Sequence, residues 1–198
     1  MTKRLLAVAT ALLLLLTTGC QPQHPDVNGN SPEQVLELCI EAFKSLDAEG
    51  LDRYCMDLGS EATGGSAFGA MPDSSNTALR ELMQLSFEAL KVTDFDDLSV
   101  AGEGDSRSAK ATVTIETYSV DSASQLFLDI CIRNGITAPS SEQLLSLWLE
   151  TYESGNVALV TATGDVFFTM KNGEWRVTAD DDFALLLAGG AANTTGGA

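Results

Sequence analysis

Residues that could do acid–base or metal chemistry are few in this chain of 198 residues, apart from many carboxylates. His24 is the single histidine, and it precedes the first predicted helix. A histidine-based catalytic triad or metal site in the folded domain is therefore excluded. Glu116 is the one acid within the clearest strand pattern, and its neighbours place it on the polar face. We expect it to be solvated there, because a general base needs a tuned environment.

Two acidic clusters could bind calcium: Asp94, Asp96 and Asp97 form one, and Asp180-Asp181-Asp182 forms the other. Neither has the alternating acidic residues and bend-forming glycine of an EF-hand loop. Helix capping and a solubilising turn are the expected roles. We therefore assign no metal ligand, no cofactor-binding residue and no catalytic residue.

Cys20 is the residue whose surroundings predict specific chemistry. Lys3 and Arg4 precede an apolar run over 5–16, and Thr17-Thr18-Gly19 leads into the cysteine. A run this short with a positive start predicts a secretory signal rather than a transmembrane helix. Its ending resembles a bacterial lipobox, in which the cysteine thiolate receives a diacylglyceryl group before cleavage. Thr17 stands where the commonest lipobox has leucine, and the alternative is an ordinary signal peptide that leaves Cys20 as a free thiol.

The domain organisation follows from this interpretation. We predict that 1–19 are removed as a lipoprotein signal peptide and that 20–30 form a lipidated flexible tether. A single domain is expected over 31–190, with a disordered tail over 191–198. Two acyl chains on one cysteine suffice for stable anchoring. The expected location is extracytoplasmic, with the lipid in a bacterial cell membrane.

Charge limits the partners. Eleven basic residues less Lys3 and Arg4 leave nine, against 28 acidic residues, so the mature chain has a net charge of −19. Such a charge repels nucleic acid and anionic surfaces, which excludes DNA or RNA as a partner. The expected partners are the membrane, through the lipid on Cys20, and an unidentified surface protein or small ligand.

Three other cysteines follow Cys20, namely Cys39, Cys55 and Cys131. An odd number cannot close a disulfide framework, and none has CxxC spacing. Each lies in an apolar helical context, where cysteine usually behaves as a small buried hydrophobe. Free buried thiols are the first expectation, and a Cys39–Cys55 bridge between neighbouring helices is the second.

Helical patterns dominate the first part of the domain. Ser31-Pro32-Glu33-Gln34 is a capping box with proline at the first helical position, and Asp47 caps a second, shorter helix. A surface loop is expected over 59–75, where Phe68 and Met71 are the large apolar residues. Asn76 then begins a third helix that should run to about Val92.

Strand patterns follow, interrupted by two helices over 122–135 and 140–155. The predicted strands are 98–101, 110–118, 156–170 with Gly164-Asp165 as a bulge or turn, and 174–178. Asn172-Gly173 predicts a type I′ hairpin, because both central positions need positive φ. A short helix or strand over 183–187 ends the domain.

This order predicts an α+β fold in which N-terminal helices pack on a curved antiparallel sheet, with an inserted helical pair before the C-terminal hairpin. It resembles bacterial lipoproteins of the nuclear-transport-factor-two-like (cystatin-like) fold, from uncharacterised Gram-positive families, over 31–190. The helical hairpin over 31–54 and the run Lys171-Asn172-Gly173-Glu174-Trp175-Arg176-Val177 carry the resemblance. It implies a sheet that wraps against the helices to form a conical apolar cavity, which the inserted pair over 122–154 could cover or fill.

Five aromatic residues could line such a cavity, although aromatic residues at these spacings are more often core: Tyr54, Tyr118, Trp148, Phe168 and Trp175. The leading hypothesis is a non-catalytic binding or interaction module of unknown ligand. The alternative is a small isomerase or hydrolase that uses a buried carboxylate in the cavity. A third hypothesis is a solute-capture lipoprotein that works beside a transporter.

Overall fold

The computed structural model describes residues 24–56 and 76–190. Cys20, the loop with Phe68 and Met71, and the tail over 191–198 lie outside them. The described elements, in chain order, are α1 (Pro32–Ser45), α2 (Ala48–Tyr54), β1 (Cys55–Met56), α3 (Thr77–Phe87), β2 (Lys91–Ala101), a 3-10 turn (Gly104–Ser106), β3 (Ser108–Tyr118), α4 (Val120–Arg133), α5 (Ser141–Glu153), β4 (Leu159–Lys171), β5 (Glu174–Thr178) and α6 (Asp181–Leu187). The α+β class is confirmed.

The strands form one sheet in the order β1-β5-β4-β3-β2. It is mixed rather than wholly antiparallel, because β1 pairs with β5 in parallel. The β3–β4 register runs from Ser108 opposite Thr169 to Tyr118 opposite Leu159. We call the first of these the hairpin end, since the Asn172-Gly173 turn lies there. The second is the helical-pair end, because α4 and α5, the helical pair, connect β3 to β4 there.

Local signals explain the first helix and the last hairpin. The Ser31 hydroxyl accepts the Gln34 backbone N–H at 3.2 Å, and Gln34 Oε1 accepts the Ser31 N–H at 2.9 Å. The predicted capping box is therefore confirmed. Asn172 and Gly173 have φ of 54° and 78°, so the predicted hairpin turn is confirmed as well.

The region between α3 and β3 differs from the sequence prediction. Helix α3 ends at Phe87 rather than near Val92, and β2 begins at Lys91 rather than Leu98. Two register shifts interrupt β2, between Val92 and Asp94 and between Asp96 and Ser99. These bulges break the alternation of apolar and polar residues, so the strand gave no clear period in the sequence. Gly164 and Asp165, predicted as a bulge or turn, lie in an uninterrupted β4 register.

One face of the sheet packs against α1 and α6 to form the main core. Its fully buried large side chains include Phe43 of α1, Val113 and Ile115 of β3, and Phe183 of α6. The helical pair has a separate small cluster of Ile130, Cys131 and Leu147. Among the described residues, no helix is long and apolar enough to cross a membrane.

Cys39 and Cys55 form a disulfide between α1 and the start of β1. The first expectation for these two cysteines, free buried thiols, was therefore wrong, because the α1–α2 hairpin returns Cys55 to the face of α1 that carries Cys39. Cys131 is a free, buried thiol, as expected.

Residues 24–30, which we call the strap, lie against the hairpin rather than forming a flexible tether. The Val27 N–H donates to the Gly173 carbonyl at 2.9 Å, and Trp175 Nε1 donates to the His24 carbonyl at 2.8 Å. The attachment uses hydrogen bonds of backbone and polar groups, including the Asp26 carboxylate, so it leaves no apolar periodicity in the sequence.

Candidate functional site

A groove of about 220 Å³ opens at the helical-pair end of the sheet. We call it the aromatic groove. Four segments supply its walls: the last turn of α3, the end of β3 with the start of α4, the last turn of α5, and the end of α6. The lining residues are Ser86, Phe87, Thr117, Tyr118, Val120, Tyr152, Ala184, Leu187 and Ala188.

The end of α6 is fixed beneath the groove by one side-chain hydrogen bond. The Thr117 hydroxyl, 2% exposed, donates to the Leu187 carbonyl at 3.0 Å. This bond satisfies a carbonyl that the helix end would otherwise leave without a partner. It ties the end of α6 to the end of strand β3 and so sets the position of two walls relative to each other.

An aromatic row leads from the helical pair into the groove. Phe127 stacks on Trp148 with ring centroids 4.5 Å apart, and Trp148 lies 6.4 Å from Tyr152. Tyr152 in turn meets Tyr118 edge-on at 5.5 Å. Such pairs hold each other's ring orientation. The helical pair therefore forms a wall of the groove, through Val120 and Tyr152.

Among the residues that the structure describes, no Asp, Glu, Lys, Arg or His side chain lines the groove. Burial raises the pKa of the Tyr152 phenol, and the neighbouring Tyr118 raises it further. The Tyr152 phenol is therefore neutral at pH 7 and acts as a hydrogen-bonding group. An anionic ligand would find no counter-charge in this lining, whereas an uncharged, partly apolar ligand fits its chemistry.

The five aromatic residues predicted to line a cavity separate into three groups. Tyr118 lines the groove, and Trp148 stands next to it through Tyr152. Phe168 and Trp175 are each 1% exposed in the main core. Tyr54 borders a crevice at the hairpin end that has a free volume of about 0 Å³.

Tyr118 is the one lining residue that the sequence predicted; the largest side chains that it missed are Phe87, Tyr152 and Leu187. Tyr152 follows Trp148 by four residues, which places both on one face of α5, so its position was available as a signal. Phe87 was assigned to a helix and Leu187 to a short helix or strand, and the sequence alone does not show that the ends of these two elements meet.

The carboxylates of the described residues lie outside the aromatic groove. Among the described residues, Asp26 is the one buried carboxylate, and it accepts backbone N–H groups of Asn28 and Asn30 within the strap. Asp96 is exposed, and the nearby Asp94 charge raises its pKa. Over the parts of the chain that the structure describes, no group of three or more Cys, His, Asp or Glu side chains could hold a metal ion.

A second hollow of about 350 Å³ lies between α1 and the start of β2. Its lining is mostly charged, with Glu37, Glu41, Lys44 and Lys91 around Ile40 and Leu90. Lys44 and Glu41 form a surface ion pair at 3.0 Å, and Glu41 is largely exposed. Such a salt-bridged surface is typical of a solvated helix face.

Comparison of the chain with protein-family models, with curated proteins and with solved structures finds no match. The nuclear-transport-factor-two-like resemblance therefore stays a prediction.

Proposed function

We propose that the chain is an extracytoplasmic lipoprotein, anchored by a diacylglyceryl group on Cys20, that binds an uncharged, partly apolar small ligand in the aromatic groove. The observation that carries this proposal is the groove itself: an uncharged lining of aromatic and aliphatic side chains around about 220 Å³. Ligand sites combine mainly apolar walls with a few polar groups that fix orientation. The two tyrosine hydroxyls and Ser86 supply those polar groups.

The size of the groove limits the ligand. Small-molecule pockets commonly measure roughly 300–1,000 Å³. A groove of about 220 Å³ therefore accommodates one ring or a short branched chain. A larger ligand would keep the rest of its surface in solvent.

Binding without chemical change is the function that this chemistry favours. General acid–base catalysis needs a group whose pKa lies near the working pH. The titratable groups of the lining are phenols, and burial moves the pKa of Tyr152 further from neutrality. Asp26, the buried carboxylate of the described chain, lies at the hairpin end and serves the strap. The alternative of an enzyme with a buried carboxylate gains no support from this arrangement.

An extracytoplasmic location is supported by two independent features. The segment 1–20 resembles a lipoprotein signal, and Cys39 and Cys55 form a disulfide within the fold. Structural disulfides persist in oxidising compartments and are rare in the cytosol of mesophiles.

Isothermal titration calorimetry with p-xylene, a neutral apolar probe of one ring, tests the groove. Ala188→Trp would fill it from the end of α6, whereas Ala48→Trp places the same side chain on exposed α2. We expect a saturable heat of binding in wild type and Ala48→Trp, and at least a tenfold loss of affinity in Ala188→Trp. Equal affinity in the two variants would show that the probe binds elsewhere, and no saturable binding to wild type would refute the groove as a site for this class.

A further inference from the structure

We infer that the hairpin end of the sheet faces the lipid bilayer and that the aromatic groove is held on the side of the domain away from it. The inference rests on the proposed lipid anchor at Cys20. It adds an orientation, and therefore a membrane-facing surface, which anchoring alone does not give.

The strap fixes the point at which the chain leaves the domain. Its backbone pairs with the hairpin through Val27 and Gly173 at 2.9 Å, and the Asn28 amide donates to Glu174 Oε1 at 2.6 Å. The Trp175 indole N–H donates to the His24 carbonyl at 2.8 Å. The exit point, His24, therefore lies at the hairpin end.

Asp26 makes the strap part of the fold. Its carboxylate is 9% exposed, and its Oδ1 accepts the N–H groups of Asn28 and Asn30 at 2.8 and 2.9 Å. Its Oδ2 accepts the Trp175 N–H at 3.4 Å. Three backbone donors on one largely buried carboxylate bind it firmly, because charge-assisted hydrogen bonds are among the stronger ones.

The connection from the anchor to this exit point is short. Four residue steps separate Cys20 from His24, which span at most roughly 14 Å when fully extended. The ten steps of β3 from Ser108 to Tyr118 span roughly 33 Å. The hairpin end therefore stays close to the lipid headgroups, and the groove lies about a sheet length from the exit point.

The short connection leaves two orientations open: the domain could stand upright on the bilayer or lie on its side. The distribution of charged residues over the domain favours one of them. Five of the nine Lys and Arg residues after Cys20 lie at the hairpin end: Arg53, Arg107, Lys110, Lys171 and Arg176. Glu174 and Asp165 form ion pairs with Arg53 and Lys110, at 3.3 and 2.7 Å. The hairpin end thus carries both signs of charge.

The opposite end is acidic. The helical pair carries five carboxylates and one cation, Arg133. An anionic bilayer repels such a surface, within a distance set by the Debye length. The bilayer therefore favours the orientation in which the helical pair and the groove point away from it.

Fluorescence resonance energy transfer, from a single label on the domain to an acceptor dye at the lipid headgroups, measures this orientation. The full lipidated chain carries Cys131→Ala, so that a single introduced cysteine takes the label. One variant is labelled at Lys171→Cys, at the hairpin end, and the other at Ala158→Cys, beside the start of β4. The two exposed positions are thirteen residues apart, roughly 43 Å along the strand. The chain is incorporated in phosphatidylglycerol-containing vesicles that carry an acceptor dye at the headgroups. Intact mass confirms the lipid and the single label.

We expect several-fold stronger transfer from position 171 than from position 158. Asp26→Ala loses the three hydrogen bonds of the Asp26 carboxylate, which weakens the strap. The ratio of transfer from position 171 to transfer from position 158 should then fall towards one with the lipid mass unchanged. Asp129→Ala, at an exposed acid on α4, should keep the ratio. Equal or reversed transfer in the lipidated chain would overturn the orientation and leave the anchor standing. A chain without the lipid mass would overturn the anchor, and the orientation with it. An unchanged ratio in Asp26→Ala would refute the strap as the orienting element.

Discussion

At the scale of single residues, the turn residue Gly173 leaves room for the strap to pack against the hairpin. The turn residue Gly173 has φ of +78°, and a Cβ at this position would lie 2.5 Å from Cγ1 of Val27 in the strap. A side chain here therefore meets two obstacles, the left-handed backbone and the strap. Asn172, beside it, has φ of 54°, which asparagine tolerates better than most residues.

Gly173→Ala is expected to lower the free energy of unfolding by more than the roughly 1–2 kcal/mol typical of a left-handed non-glycine residue. The additional loss comes from displacement of Val27 by the new methyl group. Gly135→Ala is the matched control, because Gly135 has φ of +66° and open space around its Cβ position. Urea denaturation of the two variants measures the difference. Equal losses would show that the strap does not pack against the turn.

The strap also marks a limit of sequence reasoning at this scale. Residues 24–30 contain one proline, two asparagines and a glycine with no apolar period, a composition typical of a linker. Their attachment depends on Asp26, whose backbone partners include Trp175, 149 residues away along the sequence. A contact of this kind leaves no local pattern, whereas the capping box at Ser31 and the Asn172-Gly173 turn are local and were predicted correctly.

At the scale of elements, strands with a regular alternation of apolar and polar residues were predicted correctly, and an irregular strand was not. Strand β3 alternates cleanly and lies where the pattern placed it, while the two bulges of β2 hid that strand. The aromatic groove was foreseen only in part, through Tyr118 and Trp148. Its walls are the ends of α3, β3, α5 and α6, and local periods do not tell which element ends meet.

The disulfide between α1 and β1 should contribute measurably to stability. It joins residues 16 apart in the sequence, and a loop of that length corresponds to about 3 kcal/mol in the chain-entropy account. We therefore expect Cys39→Ala/Cys55→Ala to unfold at a lower urea concentration than wild type, by about that free energy. Reducing agent should shift wild type and Cys131→Ala towards the double variant, and leave the double variant unchanged. A double variant as stable as wild type would contradict the bridge.

At the scale of the whole molecule, the excess of negative charge destabilises the folded state through repulsion between carboxylates. The 28 acidic residues outnumber the basic ones by a wide margin, and the net charge is −17 even with the signal segment included. Such a surface repels itself, and dissolved ions weaken the repulsion. The same imbalance would add to the orientation inferred above, because the helical pair is acidic and the hairpin end carries five of the cations.

Added salt is expected to stabilise the fold. Between roughly 10 and 150 mM the Debye length falls from about 30 to about 8 Å, which screens most of the repulsion across the domain. Thermal unfolding at pH 7 should therefore move to higher temperature as NaCl is raised over this range. Near the sequence pI of about 4.1 the salt effect should largely vanish. A salt response of the same size at both pH values would show that self-repulsion is not its cause.

The parallel pairing of the first strand with the last has a consequence for the timing of folding. Cys55 lies opposite Val177, so the edge of the sheet joins segments more than a hundred residues apart. Contacts of such long range form slowly and only after both partners are available. A polypeptide that crosses a membrane with its N-terminus leading cannot complete this sheet until β5 has emerged. Closure of the sheet therefore waits for the last strand, which would suit the export that we propose for this chain.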